Sequence, residues 1–303
     1  MSVKLEVDLA GLQLRNPVMP ASGCFGFGRE YSEYYSLDEL GAVVVKATTL
    51  HPRLGNPTPR VTEVTCGMLN AIGLANPGVD KVIAEELSWL AGQNVPIIVN
   101  VAGDAVEDYC QVVDKICRSG LAQAIELNVS CPNVKLGGLA FGVDAAVLRN
   151  LVEAVRKVCT LPLYVKLSPN VTRVQDLALA AASGGADGLS LINTLIGMQI
   201  DLTNRKPVLA NRTGGLSGRA IKPVAVRMVY DVAREVNLPI IGMGGIYSGR
   251  DAVEFIMAGA WAVEVGTANF TDPYACPRIV AELRSFMEEE GIKNIEEIRG
   301  CAL

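Results

Sequence analysis

Eight short and nearly continuous apolar runs recur along the chain, and helical spacing follows most of them. A strand has this pattern when it is covered on both faces, because neither side meets water. The predicted strands are Pro17–Ser22, Ala42–Thr48, Pro96–Ala102, Ala124–Ser130, Pro162–Ser168, Gly188–Thr194, Pro239–Gly244 and Trp261–Thr267. Strand–helix units that repeat without a break in composition favour one closed (β/α)8 barrel (a TIM barrel) over an open doubly wound sheet.

Two helix starts and a hairpin can also be predicted. Residues 3–14 alternate between apolar and polar side chains, which indicates an N-terminal β-hairpin that closes the bottom of the barrel. Asp104 with Glu107 resembles a capping box, and Asp144 is placed to cap the helix after strand 4.

Two segments are too long to be simple connections. Residues 51–74 and 196–220 are rich in Gly, Pro and Asn, and they follow strands 2 and 6. Long loops in compact domains are commonly functional, and both would leave the C-terminal face of the barrel. We therefore expect lids over a site, with plain surface excursions as the alternative.

The composition limits the classes of function. The 303 residues carry a formal charge of −5 and are 50% hydrophobic. Net acidity without a long basic run argues against nucleic acid as a partner. No apolar run reaches the ~20 residues that a membrane helix needs, so no membrane association is expected. Because no signal-peptide pattern is present, we expect a cytoplasmic protein with a single domain over residues 1–303.

The usual local metal-binding patterns are missing from the sequence. The one histidine, His51, lies in a loop, where a solvated side chain is favoured. The eight cysteines include no C-x-x-C pair, so we expect neither a zinc site nor an iron–sulfur cluster in this chain. In a large apolar chain such cysteines are more often reduced core residues than disulfides.

Polar side chains stand where the predicted strands end, and in a barrel these ends meet at the face that holds the active site. A lysine at the end of an apolar run is costly to bury without an anionic partner. Lys46 and Lys166 therefore indicate an anionic or electron-rich ligand. The other polar residues at strand ends are Ser22, Asn100, Asn128, Asn193 and Thr194.

Glycines follow the last two strands. Gly244 and Gly245 follow strand 7, and Gly266 with Thr267 ends strand 8, where many barrels bind phosphate through backbone N–H groups. Glycine allows the main chain to approach a ligand closely. We expect a phosphate site here, with tight turns as the alternative, and Gly218 is a further candidate contact.

The sequence Asn-Val-Ser-Cys-Pro-Asn at 128–133 leaves strand 4 at the same face. Pro132 ends the strand and fixes the backbone beside Cys131. A thiol at this place can act as nucleophile or base, because nearby cations lower its pKa from about 8.5. An inert cysteine in a turn is the alternative.

Further motifs occur in order along the chain. They are Val-Lys-Ala (45–47), Asn-Ala-Ile-Gly-Leu (70–74), the 128–133 sequence, Val-Lys-Leu (165–167), Ile-Asn-Thr (192–194), Gly-Gly-Leu-Ser-Gly (214–218) and Gly-Met-Gly-Gly-Ile (242–246). Together they resemble the dihydroorotate dehydrogenases. The resemblance implies an FMN-binding (β/α)8 barrel that oxidises dihydroorotate to orotate in pyrimidine biosynthesis.

The resemblance also implies roles for individual residues. Cys131 would be the general base at C5 of dihydroorotate, with hydride transfer from C6 to FMN N5. Lys46 would stabilise charge on the substrate, and Lys166 would polarise the flavin ring. The implied FMN contacts are Ser22, Lys46, Ala47, Asn100, Asn128, Lys166, Ile192, Gly218, Gly244, Gly245, Gly266 and Thr267. The implied dihydroorotate contacts are Lys46, Asn70, Ala71, Ile72, Gly73, Leu74, Asn128, Asn193 and Thr194.

Within the family, the chain looks like the NAD-linked class 1B. The membrane-bound class has an N-terminal extension and a serine base, whereas here the barrel begins at once and the base position is Cys131. The loop Asn-Ala-Ile-Gly-Leu at 70–74 differs from the Asn-Ser-Met-Gly-Leu usual in the fumarate-linked class 1A. Class 1B implies a partner subunit with FAD and a [2Fe–2S] cluster that passes electrons to NAD, and a homodimer of this chain within a heterotetramer.

Other functions stay open at this point. They are a fumarate-linked dihydroorotate dehydrogenase, a dihydropyrimidine dehydrogenase acting on uracil-type rings, a Schiff-base aldolase using Lys166 or Lys46, and a non-catalytic subunit that binds flavin or another ligand. Cys24, near the top of strand 1, is a second thiol. We expect it to be a packed residue, but it is a rival to Cys131 for thiol chemistry.

Overall fold

Eight parallel strands form the central sheet of the computed structural model, which describes residues 3–129 and 141–303. They are β1 (Val18–Pro20), β2 (Val43–Thr48), β3 (Ile97–Val101), β4 (Ala124–Asn128), β5 (Leu163–Lys166), β6 (Gly188–Leu191), β7 (Ile240–Met243) and β8 (Ala262–Val265). Each strand lies inside one of the predicted apolar runs, and almost all of their side chains are buried. The eight predicted strands are therefore confirmed.

The strands close into a barrel. Their order is β1-β8-β7-β6-β5-β4-β3-β2, and each pair of hydrogen-bonded neighbours is parallel. The two end strands meet, because the Gly41 N–H just before β2 donates to the Val18 carbonyl of β1 at 2.9 Å. Gly41 is required here, since a Cβ would collide with the Asn16 carbonyl oxygen. The sheet is thus the expected (β/α)8 barrel.

Helices cover the outside, and the first two crossovers are irregular. Between β1 and β2 the chain makes 3₁₀ turns at Tyr31–Glu33 and Leu37–Glu39. Between β2 and β3 it combines short α, π and 3₁₀ segments at Val79–Lys81, Val82–Leu87, Ser88–Leu90 and Ala91–Gln93. The later helices are Val106–Ser119, Ala145–Arg156, Val174–Ser183, Lys222–Ala233, Gly249–Met257, Ala268–Thr271 and Ala275–Glu289, with 3₁₀ turns at Arg219–Ile221 and Ile295–Glu297. Among the described helices, none has the length and apolar character needed to cross a bilayer.

One predicted helix start is confirmed and the other is wrong. The Asp144 carboxylate accepts a backbone N–H at 2.9 Å and caps the helix after β4. The helix after β3 is capped instead by Asp108, whose carboxylate accepts two backbone N–H groups at 3.1 Å. Asp104 is not the cap, because its carboxylate pairs with the Arg53 guanidinium at 2.5 Å.

The N-terminal hairpin pairs Val7–Leu9 with Leu12–Leu14 in an antiparallel register. Inside the barrel, near the start of β5, the Tyr164 hydroxyl donates to the Leu9 carbonyl at 2.7 Å. The hairpin therefore covers the N-terminal end of the barrel, as predicted, and the opposite end is left for a site.

The two long loops pair with each other, which the sequence analysis did not anticipate. A four-stranded antiparallel sheet contains, in order, Leu195–Gly197, Gly214–Ser217, Gly67–Asn70 and Val61–Val64. Its two central strands come from different loops, one after β2 and one after β6. This loop sheet joins the two predicted lids at the C-terminal end of the barrel. A small hairpin of Ile200–Asp201 and Lys206–Pro207 extends from the second loop.

Candidate active site

The predicted site residues within the described ranges lie at the C-terminal end of the barrel. Lys46 and Ala47 lie within β2, Asn100 lies within β3, and Asn128 and Lys166 are the last residues of β4 and β5. The residues expected at other strand ends lie in the loops just beyond them: Ser22 after β1, Ile192, Asn193 and Thr194 after β6, Gly244 and Gly245 after β7, and Gly266 and Thr267 after β8.

A buried ionic cluster surrounds Lys166. Lys166 Nζ lies 3.2 Å from Glu126 Oε1 of β4 and 3.2 Å from Glu264 Oε2 of β8, and both glutamate side chains are fully buried. Glu126 also accepts from Asn100 Nδ2 at 2.5 Å and from Ser190 Oγ at 2.8 Å. The protein itself thus supplies the anionic partners that buried Lys166 needs, so this lysine alone does not require an anionic ligand, contrary to the expectation from the sequence.

The cluster keeps Lys166 charged. Burial by itself lowers the pKa of Lys166, but the facing Glu126 and Glu264 side chains outweigh burial and raise that pKa above its ordinary value. Burial raises the pKa of Glu126, but Lys166 and the surrounding hydrogen bonds outweigh it and hold that pKa below its ordinary value. At neutral pH the barrel therefore presents a fixed ammonium beside an ionised carboxylate.

Lys46 is a second cation at this end of the barrel. A Cβ on Gly23 would lie 3.5 Å from Lys46 Nζ, so the ammonium lies against the loop after β1. Burial lowers the pKa of Lys46. In the same loop, burial raises the pKa of Cys24 to about 11, although Lys166 and Lys46 act in the opposite direction. A thiol with this pKa stays protonated at neutral pH, so Cys24 is a poor candidate for the base.

Four of the predicted substrate contacts are brought together. Asn193 Nδ2 donates to Asn128 Oδ1 at 3.5 Å, and Asn193 Oδ1 accepts from the Thr194 N–H at 2.7 Å. Asn70 Nδ2 donates to the Gly215 carbonyl at 3.3 Å. Thr194 packs closely against Gly215, because a Cβ added to Gly215 would collide with the Thr194 hydroxyl. The loop sheet therefore sets Asn70 beside the polar residues that follow the barrel strands.

Residues 70–74 are held in shape by an asparagine that the sequence analysis missed. Asn56 donates to the carbonyls of Ala71 and Ile72, both at 2.9 Å, through its side chain and its backbone. Gly73 has a φ of +75°, and a Cβ on it would lie 2.7 Å from the Asn56 side chain. The Asn-Pro pair at 56–57 could have indicated this role, because such a pair is typical of a turn in which the asparagine side chain hydrogen-bonds to nearby backbone groups.

Three glycines with left-handed backbone line the loops after β6 and β7. Gly218, Gly244 and Gly245 have φ angles of +106°, +124° and +79°. A Cβ on Gly245 would lie 2.7 Å from the Lys222 Cβ, so this position excludes side chains for space as well as for conformation. We call these three residues the glycine cradle. Main chain free of side chains can direct N–H groups at an anion such as phosphate.

The loop after β8 is tied to the same region. The Thr267 hydroxyl donates to Ser217 Oγ at 2.8 Å, which connects this loop to the one after β6. A Cβ on Gly266 would make only ordinary contacts, the nearest at 3.7 Å from Cys24 Sγ. The need for glycine is therefore stronger in the cradle than at Gly266.

The predicted base, Cys131, lies in residues 130–140, outside the described residues. Its role stays a prediction that rests on its place in the sequence.

Comparison with known proteins decides the family. The family model described as "Dihydroorotate dehydrogenase" matches residues 4–287. The chain belongs to the dihydroorotate dehydrogenase family. The protein named "Dihydroorotate dehydrogenase B (NAD(+)), catalytic subunit" from Anoxybacillus flavithermus is 60% identical over 297 residues, which cover 98% of this chain and 95% of the relative. The protein of the same name from Halalkalibacterium halodurans is 58% identical, with 98% and 97% covered.

Structural comparison places this dihydroorotate dehydrogenase family member with a solved barrel. The crystal structure of DHODH from Eimeria tenella in complex with ferulenol superposes with a TM-score of 0.80 at 27% identity. The match covers 98% of this chain and 88% of the other. The barrel assignment therefore has independent support.

Three buried residues in the site of this dehydrogenase family member were not predicted from the sequence: Glu126, Ser190 and Glu264. For Glu126 and Glu264 the signal was a lone glutamate in an otherwise apolar run, as in Ala-Ile-Glu-Leu-Asn and Ala-Val-Glu-Val. A carboxylate in a strand covered on both faces needs a buried cation, and Lys166 in a neighbouring run was available.

Proposed function

We propose that this chain is the catalytic subunit of an NAD-linked dihydroorotate dehydrogenase and oxidises dihydroorotate to orotate in pyrimidine biosynthesis. One observation carries the proposal: in a chain of this family, the barrel gathers a charged Lys166, the glycine cradle and several amide side chains at one end. Relatives that cover 98% of the chain carry the corresponding name.

The residues at this end of the barrel fit FMN as the cofactor. The glycine cradle suits its phosphate, and Lys166 offers a charged donor to an electron-rich ring. Asn100 Oδ1 is buried and has no hydrogen-bond partner among the described residues, so an acceptor is available to a ring N–H. When bound, FMN supplies the two-electron acceptor for the hydride that leaves the substrate. The further proposed contacts are Ser22, Lys46, Ala47, Asn128, Ile192, Gly266 and Thr267.

The amide side chains suit dihydroorotate, which carries a carboxylate and ring amide groups. An asparagine both donates and accepts hydrogen bonds, so Asn70, Asn128 and Asn193 can pair with either kind of group. Thr194 and the backbone of residues 71–74 add further contacts, and Lys46 stabilises negative charge on the substrate. The paired loops above the barrel help to orient the ring and to exclude water.

Cys131 is proposed as the general base that takes the C5 proton as the hydride leaves C6. Two observations support this role. Cys131 follows Asn128, the last residue of β4, by three positions in the sequence. The rival Cys24 is held as a thiol, since its pKa is raised to about 11 by burial.

The electrons are proposed to leave through a partner subunit with FAD and a [2Fe–2S] cluster, which passes them to NAD. The relatives named above are "catalytic" subunits with NAD(+) in their names, which supports this arrangement. We propose a homodimer of this chain within a cytoplasmic heterotetramer. The mass of the complex purified with its partner, measured by light scattering, tests the stoichiometry.

An anaerobic visible spectrum of the purified chain, before and after dihydroorotate is added, tests the proposed function. A bound-flavin spectrum that bleaches on addition supports both the cofactor and the substrate. A flavin spectrum that bleaches with dihydrouracil but not with dihydroorotate would overturn the substrate assignment. A colourless chain that FMN cannot reconstitute would overturn the cofactor assignment.

A further inference from the structure

The two glutamates beside Lys166 are supported unequally. Glu126 accepts hydrogen bonds from Asn100, Ser190 and Lys166, at 2.5, 2.8 and 3.2 Å. Glu264 contacts Lys166 through Oε2 at 3.2 Å, and its Oε1 has no hydrogen-bond partner among the described residues. A buried carboxylate oxygen without a donor is expensive, because the charge loses its water and gains nothing in return. Glu126 is therefore the better place for a negative charge.

The charge balance leads to the same conclusion. One ammonium can neutralise one carboxylate, so two ionised glutamates beside Lys166 would leave a net negative charge in the barrel interior. Like charges that share a buried site are avoided when one of the two groups keeps a proton. Both carboxyl groups lie 3.2 Å from the same Lys166 ammonium, so a proton on Glu264 has the Glu126 carboxylate as a nearby acceptor. Each carboxyl group also acts on the pKa of the other.

We propose that Glu264 is a positioning residue that keeps its proton, donates it to Glu126 in a hydrogen bond, and thereby holds Lys166 as a charged donor in a cluster without net charge. This inference deepens the proposed function, because Lys166 is the residue that would face the flavin. A net negative cluster at this place would oppose a reduced, electron-rich ring, whereas a neutral cluster leaves the Lys166 ammonium free to stabilise it.

Lys46 is a further cation at this end of the barrel, but among the described residues both glutamates form their ion pairs with Lys166 and neither pairs with Lys46. Besides the three charged members, the titratable groups that act on it are Lys46 of β2 and Cys24 of the loop after β1. β3 and β6 contribute the neutral Asn100 and Ser190, and β7 contributes apolar residues and glycine. Burial, followed by the Glu126 carboxylate, raises the pKa of Glu264 well above its ordinary value, which agrees with the geometry.

Infrared spectroscopy of the full chain tests the protonation directly. From about pH 6 to about pH 9 exposed carboxyl groups are ionised, so a C=O stretch of a protonated carboxyl that persists across this range reports a buried group. Residues 130–140 contain neither Asp nor Glu, so the segment outside the described residues adds no such band. We expect the band in the wild-type chain and its loss in Glu264→Gln. Absence of the band from the wild-type chain overturns the proposal. This measurement needs neither substrate nor turnover, so its failure is distinct from failure of the proposed function.

A pair of substitutions tests the positioning role. Glutamine is the neutral analogue of a protonated glutamate, since its carbonyl accepts from Lys166 and its N–H donates to Glu126. Methionine keeps a similar volume but loses both contacts. We expect Glu264→Met to raise the dissociation constant of FMN at least about tenfold, and Glu264→Gln to restore it to within about threefold of wild type. Glu235→Gln, at an exposed position on the outside of the barrel, is the control.

The outcomes of this second test separate the alternatives. If Glu264→Met binds FMN as tightly as wild type, Glu264 does not position Lys166 and the proposal is overturned. If Glu264→Gln binds as weakly as Glu264→Met, the site needs a negative charge at residue 264, and the proposal is equally overturned.

Discussion

Replacing Lys166 with methionine tests whether one cation holds the buried cluster together. Lys166→Met keeps the length of the side chain and removes the ammonium, which lies 3.2 Å from both Glu126 and Glu264. The hydrogen bonds from Asn100 and Ser190, together with the one proposed from Glu264, are then the support that remains for the Glu126 charge. Removing one partner of a buried ion pair costs ~3–5 kcal/mol, because the other charge is left uncompensated.

The free energy of unfolding of this variant should depend on pH in a definite direction. In the wild-type chain the pKa of Glu126 lies below its ordinary value of 4.5, so Glu126 is ionised in the folded and unfolded states at neutral pH. Without Lys166, burial raises the folded-state pKa. A carboxyl group whose pKa is raised in the folded state stabilises the fold at pH values below its unfolded-state pKa. That contribution is lost as the pH rises towards the folded-state value, at about 1.36 kcal/mol per pH unit.

Wild-type Glu126 is ionised in the folded and unfolded states over this range, so the pH dependence of the difference comes from the variant. While Glu126 of the variant keeps its proton in the folded state, the loss relative to wild type should be about 2.7 kcal/mol larger at about pH 7.5 than at about pH 5.5. Burial is the largest cause of the raised pKa of Glu264, and the substitution does not remove it, so we expect Glu264 to keep its proton in both chains and to add little to the difference.

Urea unfolding followed by circular dichroism, at both pH values, measures this difference. Lys157→Met is the matched control, because Lys157 is an exposed lysine at the end of an outer helix. A loss that is equal at the two pH values would refute the reasoning, since it would mean that Glu126 does not take up a proton. A loss below about 1 kcal/mol at the higher pH would show that Lys166 is not its main counter-charge.

Three further substitutions address the cofactor and the chemistry. Gly245→Ala should raise the FMN dissociation constant, measured by fluorescence titration, at least about tenfold. The reason is that a φ of +79° costs an alanine ~1–2 kcal/mol and that its Cβ would lie 2.7 Å from another side chain. Gly92→Ala is the control in the same titration, because a Cβ on Gly92 would have no neighbour within 4 Å. Lys46→Ala should cripple turnover while retaining some flavin, and unchanged turnover would remove its proposed role. Cys131→Ser should lose most activity near neutral pH and recover part of it at high pH, because serine is a far weaker base. Full activity in Cys131→Ala would contradict the assignment.

The barrel strands were predictable because one physical cause produces their pattern. A strand covered by helices outside and by other side chains inside is apolar along its whole length, and this property is local to the strand. The ends are less well defined, because apolar residues continue into the following turn. Asn193 and Thr194, for example, lie beyond the end of β6 at Leu191. The polar residues after each strand were nevertheless placed at the correct end of the barrel.

Features that depend on partners distant in sequence were not predictable. Asp104 and Asp108 are both acidic residues near a helix start. Asp108 caps the helix, whereas the carboxylate of Asp104 forms an ion pair with Arg53 from another loop. The central strands of the loop sheet, Gly67–Asn70 and Gly214–Ser217, contain several glycines and little apolar alternation. They pair because the barrel brings the loops after β2 and β6 to the same face, which no local pattern encodes.

In this site the strands hold the charged donor, and the loops carry the predicted substrate contacts. The members of the buried cluster, Asn100, Glu126, Lys166, Ser190 and Glu264, come from five of the eight barrel strands. A buried ion cluster is a poor source of stability, since apolar side chains of similar volume often serve the fold as well or better. Its value lies in fixing a charged donor on rigid elements, where a functional group is held more accurately than on a loop. The predicted substrate contacts on residues 70–74, by contrast, depend on loops that are ordered by each other. Substitutions in the cluster should therefore alter cofactor binding and pH dependence, whereas substitutions in the loop sheet should alter KM for the substrate.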